Sequence, residues 1–159
     1  LLFDDLADMV SLANNWQVAH FTASLPYPYT VADGQSFLSR CAEANEKECC
    51  WAIAERRSNR LIGMIGLIFH PEEPYELGYW LGRPHWGQGF ATEAVQALAQ
   101  TLGGPLVAYV FPENVASSRV LEKAGFGYAG FVTQDFPARG GIREVAVYRY
   151  PATAHHSNC

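Results

Sequence analysis

Charge is scarce in this 159-residue chain and leans acidic: Asp, Glu, Lys and Arg make up 17%, and the formal net charge is −5. Partners that hold a phosphate backbone carry a strongly basic domain or face, so this composition argues against nucleic-acid binding. Long apolar runs are missing too. Nothing approaches the roughly 18 residues of a membrane-spanning helix, and no charged-then-apolar targeting segment opens the chain. There is no Cys-x-x-Cys pair among Cys41, Cys49, Cys50 and Cys159. Adjacent Cys49 and Cys50 suit neither an ordinary disulfide nor a zinc knuckle, so we read reduced thiols in a cytosolic, bacterial protein. His155 and His156 have no third ligand nearby, and no metal is expected. Repeats and low-complexity linkers are absent as well.

What the chain has in plenty is apolar material, 49% of its residues. That suffices for the core of one α/β domain, here residues 1–150, followed by a frayed tail over 151–159. The chain begins at Leu1 without a methionine, so a few preceding residues are expected to be missing. Helical periodicity marks Asp4–Asn14, and Trp16–Phe21 reads as a further turn or two. Prolines 26 and 28 force an extended or turn segment, after which Thr30 and Asp33 read as the start of a helix. Cys50–Arg56, Leu61–Phe69 and Tyr75–Gly82 read as an antiparallel three-strand meander, the middle strand buried on both faces. A helix over Phe90–Leu102, a strand over Leu106–Phe111 and an Asn114-capped helix over Val115–Ala124 come next. Strands near Tyr128–Thr133 and Arg143–Tyr150 close the chain, giving a mixed sheet with helices on both faces.

Two segments carry the chemical information. Glu76–Thr92, ELGYWLGRPHWGQGFAT, is a strand, a loop with Gly87 and Gly89, and a helix start. Glycines allow close ligand approach, and the unpaired amides of a first helical turn attract anions, so the segment reads as a phosphate cradle. The plain alternative is a turn that only joins strand to helix. A Walker loop would need Gly-Lys-Ser/Thr where Gly89-Phe90-Ala91 stands, and a dinucleotide fingerprint would need glycine at Thr92; both fail. In the second segment, Asn114–Phe126, Asn114 and Ser117 lie one turn apart and can face one ligand, or can simply cap a helix.

Together these segments resemble the general N-acetyltransferase (GNAT) superfamily, and most closely its ribosomal-protein N-terminal acetyltransferase branch. Glu76–Ala94 is similar to that branch's acetyl-CoA motif, Asn114–Phe126 to its second motif, and Trp16–Tyr29 to its upstream region. The resemblance implies a largely antiparallel mixed sheet, with most of the first strand missing because it would end near Leu1–Phe3. It implies acetyl-CoA as co-substrate, held by Trp80, Leu81, Trp86, Gly87, Gln88, Gly89, Phe90, Ala91, Thr92, Asn114 and Ser117. An amine acceptor is implied as partner, with no nucleic acid and no membrane, and a homodimer is compatible. Two positions depart from the family pattern. Trp86 stands where Arg or Gln is usual, which backbone recognition of pyrophosphate tolerates, and Leu121 stands where many members carry the tyrosine that protonates the leaving thiolate.

Acetyl transfer sets its own demands. An alkyl amine is mostly protonated at neutral pH and must lose a proton before it attacks. Glu76 is the candidate base: it shares a strand face with Gly78 and Trp80, and relatives often draw the base from this strand. The bland alternative is a solvated edge carboxylate. Ser117 is the candidate partner of the leaving thiol, with an ordered water as its rival. Glu93 is expected to point away from the phosphates, His85 is a loop residue near the cradle, and His20 and His70 receive no role. Glu72, Glu73 and Glu76 suggest an acidic acceptor site walled, as in relatives, by the aromatic segments Trp16–Tyr29 and around Phe136, hence a cationic amine; the alternative is that Glu72 and Glu73 are solvated turn charges with no view of the site. Two function classes stay open: a direct-transfer N-acetyltransferase, or an acyl-CoA-binding sensor or interaction module without chemistry.

Overall fold

The computed structural model describes residues 3–43 and 47–151. The tail expected over Ala152–Cys159, and Leu1 and Leu2 of the expected first strand, lie outside them; Phe3–Asp5 form a 3-10 turn. Helix α1 (Leu6–Ala13) buries Met9 and Ala13, and α2 (Trp16–Ala19) is a single turn started by Asn15, whose side chain accepts from the Gln17 amide. Helix α3 (Val31–Ala42) opens with a full capping box: Thr30 and Asp33 satisfy each other's backbone amides. Three strands follow, β1 (Glu48–Ala54), β2 (Leu61–Ile68) and β3 (Tyr75–Leu81), paired antiparallel in sequence order. Strand β2 is buried along nearly its whole length, as its unbroken apolar run predicts.

Helix α4 (Phe90–Leu102) leads to β4 (Leu106–Val110), and α5 (Val115–Lys123) leads to β5 (Gly127–Phe136) and β6 (Gly141–Tyr150). The last two strands extend further toward their shared turn than periodicity predicts. That turn is carried by Gly140 and Gly141, both at positive φ. The sheet order is β1-β2-β3-β4-β6-β5, antiparallel except where β3 runs parallel to β4. Helices α4 and α5 pack on one face over Val95, Ala99 and Leu121, and α1 and α3 pack on the other around Met9, Leu61 and Met64.

The parallel pair sets up the site. Strands β3 and β4 are in register only at Tyr75–Leu106 and Glu76–Val107. Beyond that point they part, so a wedge opens through the middle of the sheet between Gly78–Trp80 and Ala108–Val110. Along β3, alternation sends Glu76, Gly78 and Trp80 toward the α1–α3 face, and Leu77, Tyr79 and Leu81 toward α4 and α5.

Candidate active site

The strand, glycine loop and helix start form as their letters suggest. After β3, a 3-10 turn over Arg83–His85 and the tryptophan behind it lead to Gly87 and Gly89, at φ +71° and +84°. Side-chain-bearing residues rarely adopt that conformation. A Cβ added at either glycine would meet nothing within 4 Å, so the space in front of the loop is open. The first intrahelical bond of α4 runs from the Glu93 amide to the Gly89 carbonyl, 3.0 Å, leaving the Phe90, Ala91 and Thr92 amides ahead of the ladder. No side chain caps this helix, unlike α3 and α5. Open glycines, free amides and an uncapped dipole fit a pyrophosphate.

The loop is braced from behind. The Trp86 indole donates to the Leu81 carbonyl (2.8 Å), the Gln88 amide donates to the Pro84 carbonyl (3.0 Å), and the Arg83 guanidinium lies 4.9 Å over the Trp86 ring. Trp86 therefore braces the loop from its own side chain, and it also lines the slot that starts there. Glu93 is exposed, and His85 packs edge-on against Phe90. From the cradle a slot of about 180 Å³ runs along Trp80, Leu81, Trp86, Gly87 and Ala91 to Asn114 and Ser117.

Asn114 caps α5 by accepting from the Ser117 amide, 3.2 Å. Ser117 has a partner that sequence reasoning missed. The Tyr79 hydroxyl lies 2.7 Å from Ser117 Oγ, across the split from β3 to α5. Burial pushes this phenol up to about 12, so it stays protonated across any working pH. Leu121, where many relatives carry tyrosine, is fully buried in the core. The legible signal was alternation: Tyr79 sits in the cofactor motif on the face opposite Glu76.

The α1–α3 side holds a larger cavity of about 530 Å³ that continues through the wedge to Asn114, Ser117 and Leu121. Glu76 lines it, with Asp33, Glu48 and Arg40 as its other charged residues. The Glu76 side chain is one-quarter exposed, and its Oε2 lies 2.9 Å from His70 Nε2. Sequence reading gave His70 no role because the two residues meet only when the turn after β2 closes.

Two acceptor-side expectations are corrected. Glu72 and Glu73 are exposed turn residues that do not line the cavity; its acidity comes from Asp33, Glu48 and Glu76. Phe136 is buried against Phe111, ring centroids 4.9 Å apart, and does not wall the cavity. Its loop contributes Arg139 instead, which donates to the carbonyls of Ala19 (2.6 Å), Thr22 (2.8 Å) and Leu25 and so holds the segment that does line the cavity. From the early region Phe21, Thr22, Leu25, Pro26 and Tyr29 reach the wall, while Trp16 and Tyr27 stay exposed beside each other. Burial pushes the Cys50 thiol up to about 12 beside Cys41, which makes it an inert wall residue. Among the described residues no cluster of His, Cys, Asp and Glu could hold a metal, and no helix is long and apolar enough to cross a membrane.

A mixed sheet split beside a glycine-led, uncapped helix defines a fold with a cleft suited to an anionic ligand. The chain belongs to the acetyltransferase (GNAT) domain family, whose model matches residues 2–127. It is 32% identical over 87 residues to the uncharacterized protein YkkB of Bacillus subtilis (strain 168), covering 50% of this chain and 51% of that protein. To the uncharacterized N-acetyltransferase p20 of Bacillus licheniformis it is 33% identical over 105 residues, covering 62% and 59%. The matches thus span between half and three-fifths of these relatives' length. A GNAT-family acetyltransferase from Bacillus anthracis superposes with a TM-score of 0.79 at 21% identity, over 94% of this chain and 90% of that one. A spermidine N-acetyltransferase from Vibrio cholerae, crystallised with CoA and spermine, gives 0.76 at 20% identity over 94% and 90%. RimL, a ribosomal L7/L12 alpha-N-protein acetyltransferase in complex with coenzyme A, gives 0.77 at 17% identity over 92% and 88%. At such identities the likeness establishes the fold.

Proposed function

We propose that the protein moves an acetyl group from acetyl-CoA directly to a primary amine, without a covalent acyl-enzyme. One observation carries this reading: a single strand, β3, presents Glu76 to the large cavity and Tyr79, hydrogen bonded to Ser117, to the slot that ends at the uncapped start of α4. Acetyl-CoA, when bound, supplies the activated thioester. The amides and glycines of Gly87–Thr92 hold its pyrophosphate, and Trp80, Leu81, Trp86 and Ala91 flank the arm between phosphate and sulfur. Glu76 takes a proton from the incoming ammonium. Ser117, with the Tyr79 phenol behind it, offers a hydrogen bond to the departing sulfur from a group that does not ionise at working pH.

Within the family we place the protein with the ribosomal-protein N-terminal acetyltransferase branch, on its motifs at Glu76–Ala94 and Asn114–Phe126. We assign it a peptide N-terminus or a small cationic amine as acceptor and the cytoplasm as its compartment. Three carboxylates against one guanidinium on the cavity wall, with Phe21, Tyr29 and Phe37 among them, support a cation. A second reading, an acyl-CoA-binding module without turnover, draws on the buried Leu121. Thiol release from acetyl-CoA with a panel of N-terminal peptides, polyamines and amino sugars, followed by mass spectrometry of the product, decides between them. Acetylated amine supports the enzyme. Binding without release on every amine supports the module.

A further inference from the structure

We propose that His70 is the outlet for the proton that Glu76 takes from the acceptor amine, so that Glu76 and His70 work as a relay from cavity to solvent. This rests on the reading of Glu76 as base. The contact is direct, Oε2 to Nε2 at 2.9 Å, and the exposure is graded along it: the Glu76 side chain is 26% exposed and the His70 side chain 40%. Glu76 lines the cavity; His70 stands behind it, away from the cavity wall. The turn that carries His70 is anchored on both sides. The neighbouring Phe69 amide donates to the Lys47 carbonyl (2.8 Å), and the Phe69 ring meets Tyr75 at 4.7 Å.

The surroundings favour a proton moving this way. Strand register sets Glu48, Ile68, Glu76, Val107 and Arg149 in one row across the sheet. The charged and titratable groups around the pair include Glu48 on β1 and Lys47 just before it, Glu73 in the turn, Tyr109 on β4, which feels both Glu73 and Glu76, and Arg149 on β6. The carboxylates Glu48, Glu73 and Glu76 outnumber the cations Lys47 and Arg149, so positive charge arriving on the imidazole is well placed. Imidazole is ordinarily about two pK units more basic than a carboxylate, which returns roughly a hundredfold of the unfavourable equilibrium for deprotonating an alkylammonium.

The steps balance. At rest the ionised carboxylate can only accept, so the 2.9 Å contact is an Nε2–H donating to Glu76. One proton of the ammonium goes to the Glu76 carboxylate; exchange through the half-exposed ring then moves the imidazole proton to Nδ1, the Glu76 acid proton passes to Nε2, and a proton leaves Nδ1 for water, which restores the starting tautomer. The neutral amine forms the N–C bond as the C–S bond breaks, and the second nitrogen proton ends on sulfur. His70 touches no reacting atom, so it is a positioning and relay residue.

The test measures single-turnover rates with acetyl-CoA and two probe acceptors, spermidine and a tripeptide with a free N-terminal serine. His70→Gln keeps a hydrogen bond to Glu76 but cannot carry a proton; its rate should fall tenfold or more, with coenzyme A affinity unchanged by calorimetry. Added imidazoles should restore His70→Ala in proportion to their basicity and should not restore Glu76→Gln. In the cofactor-free protein, the ¹⁵N shifts of the His70 ring should move on Glu76→Gln; an unmoved ring would show that the pair does not form and would overturn the relay. A wild-type rate in His70→Gln, or rescue indifferent to basicity, would overturn the relay alone. A wild-type rate in Glu76→Gln would overturn the base and the relay with it. No turnover of either probe by the wild type would contradict the acceptor class on which both rest.

Discussion

Strand β3 divides two regions that ask opposite things of their polar groups. Toward α4 and α5 the polar atoms are mostly backbone: amides of Phe90–Thr92, made accessible by two glycines at positive φ and left uncapped. Toward α1 and α3 the charged groups are side chains held by other residues, Glu76 by His70 and Asp33 by Thr30, while Arg139 holds the backbone carbonyls of Thr22 and Leu25. Backbone recognition suits a ligand whose phosphates never change, because amides cannot be substituted away. Side-chain recognition suits an acceptor that differs between relatives. The comparison can be broken at four places.

The largest effect is expected from Glu76→Gln, which keeps shape and hydrogen bonding but removes basicity. Turnover should drop by about 10²–10⁴ while acetyl-CoA affinity stays put, since the carboxylate serves the other face. A parallel loss of cofactor affinity would mean the two regions are not separate. Next comes Gly89→Val, which places a branched side chain at φ +84° in the open cradle. Coenzyme A affinity should fall at least tenfold, about 1.4 kcal/mol, with the fold retained by circular dichroism.

Tyr79→Phe should cost several-fold in turnover, because a water can take over part of the hydrogen bond to Ser117. It also has a pH signature. The folded phenol titrates at about 12, above the ordinary value of 10.0, so the stability it contributes is full below about pH 10 and lost as pH rises through 12. Denaturant melts should show Tyr79→Phe losing less stability than wild type across that window. The smallest effect is expected from Glu48→Gln, a rise of about two- to threefold in the KM of a cationic acceptor at low salt, fading as ionic strength shortens the Debye length. Charge reversal at the exposed Glu72 and Glu73 should leave that KM unchanged.

What the sequence made legible follows the same divide. The cradle lies within Glu76–Thr92, so local rules for strands, glycines and helix starts reached it, and the Thr30–Asp33 box and Asn114 cap were readable for the same reason. The larger cavity draws on the segment after α2, on α3, on four strands and on α5, and no local pattern brings Phe21, Glu48, Glu76 and Tyr109 to one wall. Hence His70, Tyr79 and Arg139 went unassigned: each meets its partner across a turn, a split sheet or more than a hundred residues. Phe136 misled because an aromatic in a proline-rich loop reads alike whether it faces a ligand or, as here, Phe111.

The central claim is that cofactor and acceptor occupy opposite faces of β3, and one measurement reads both at once. Coenzyme A titrated into ¹⁵N-labelled protein should shift the amides of Gly87–Thr92, Tyr79 and Ser117 most strongly, and leave Asp33 and Glu48 near their free positions. Shifts centred on Asp33 and Glu48, with Gly87–Thr92 unmoved, would contradict it.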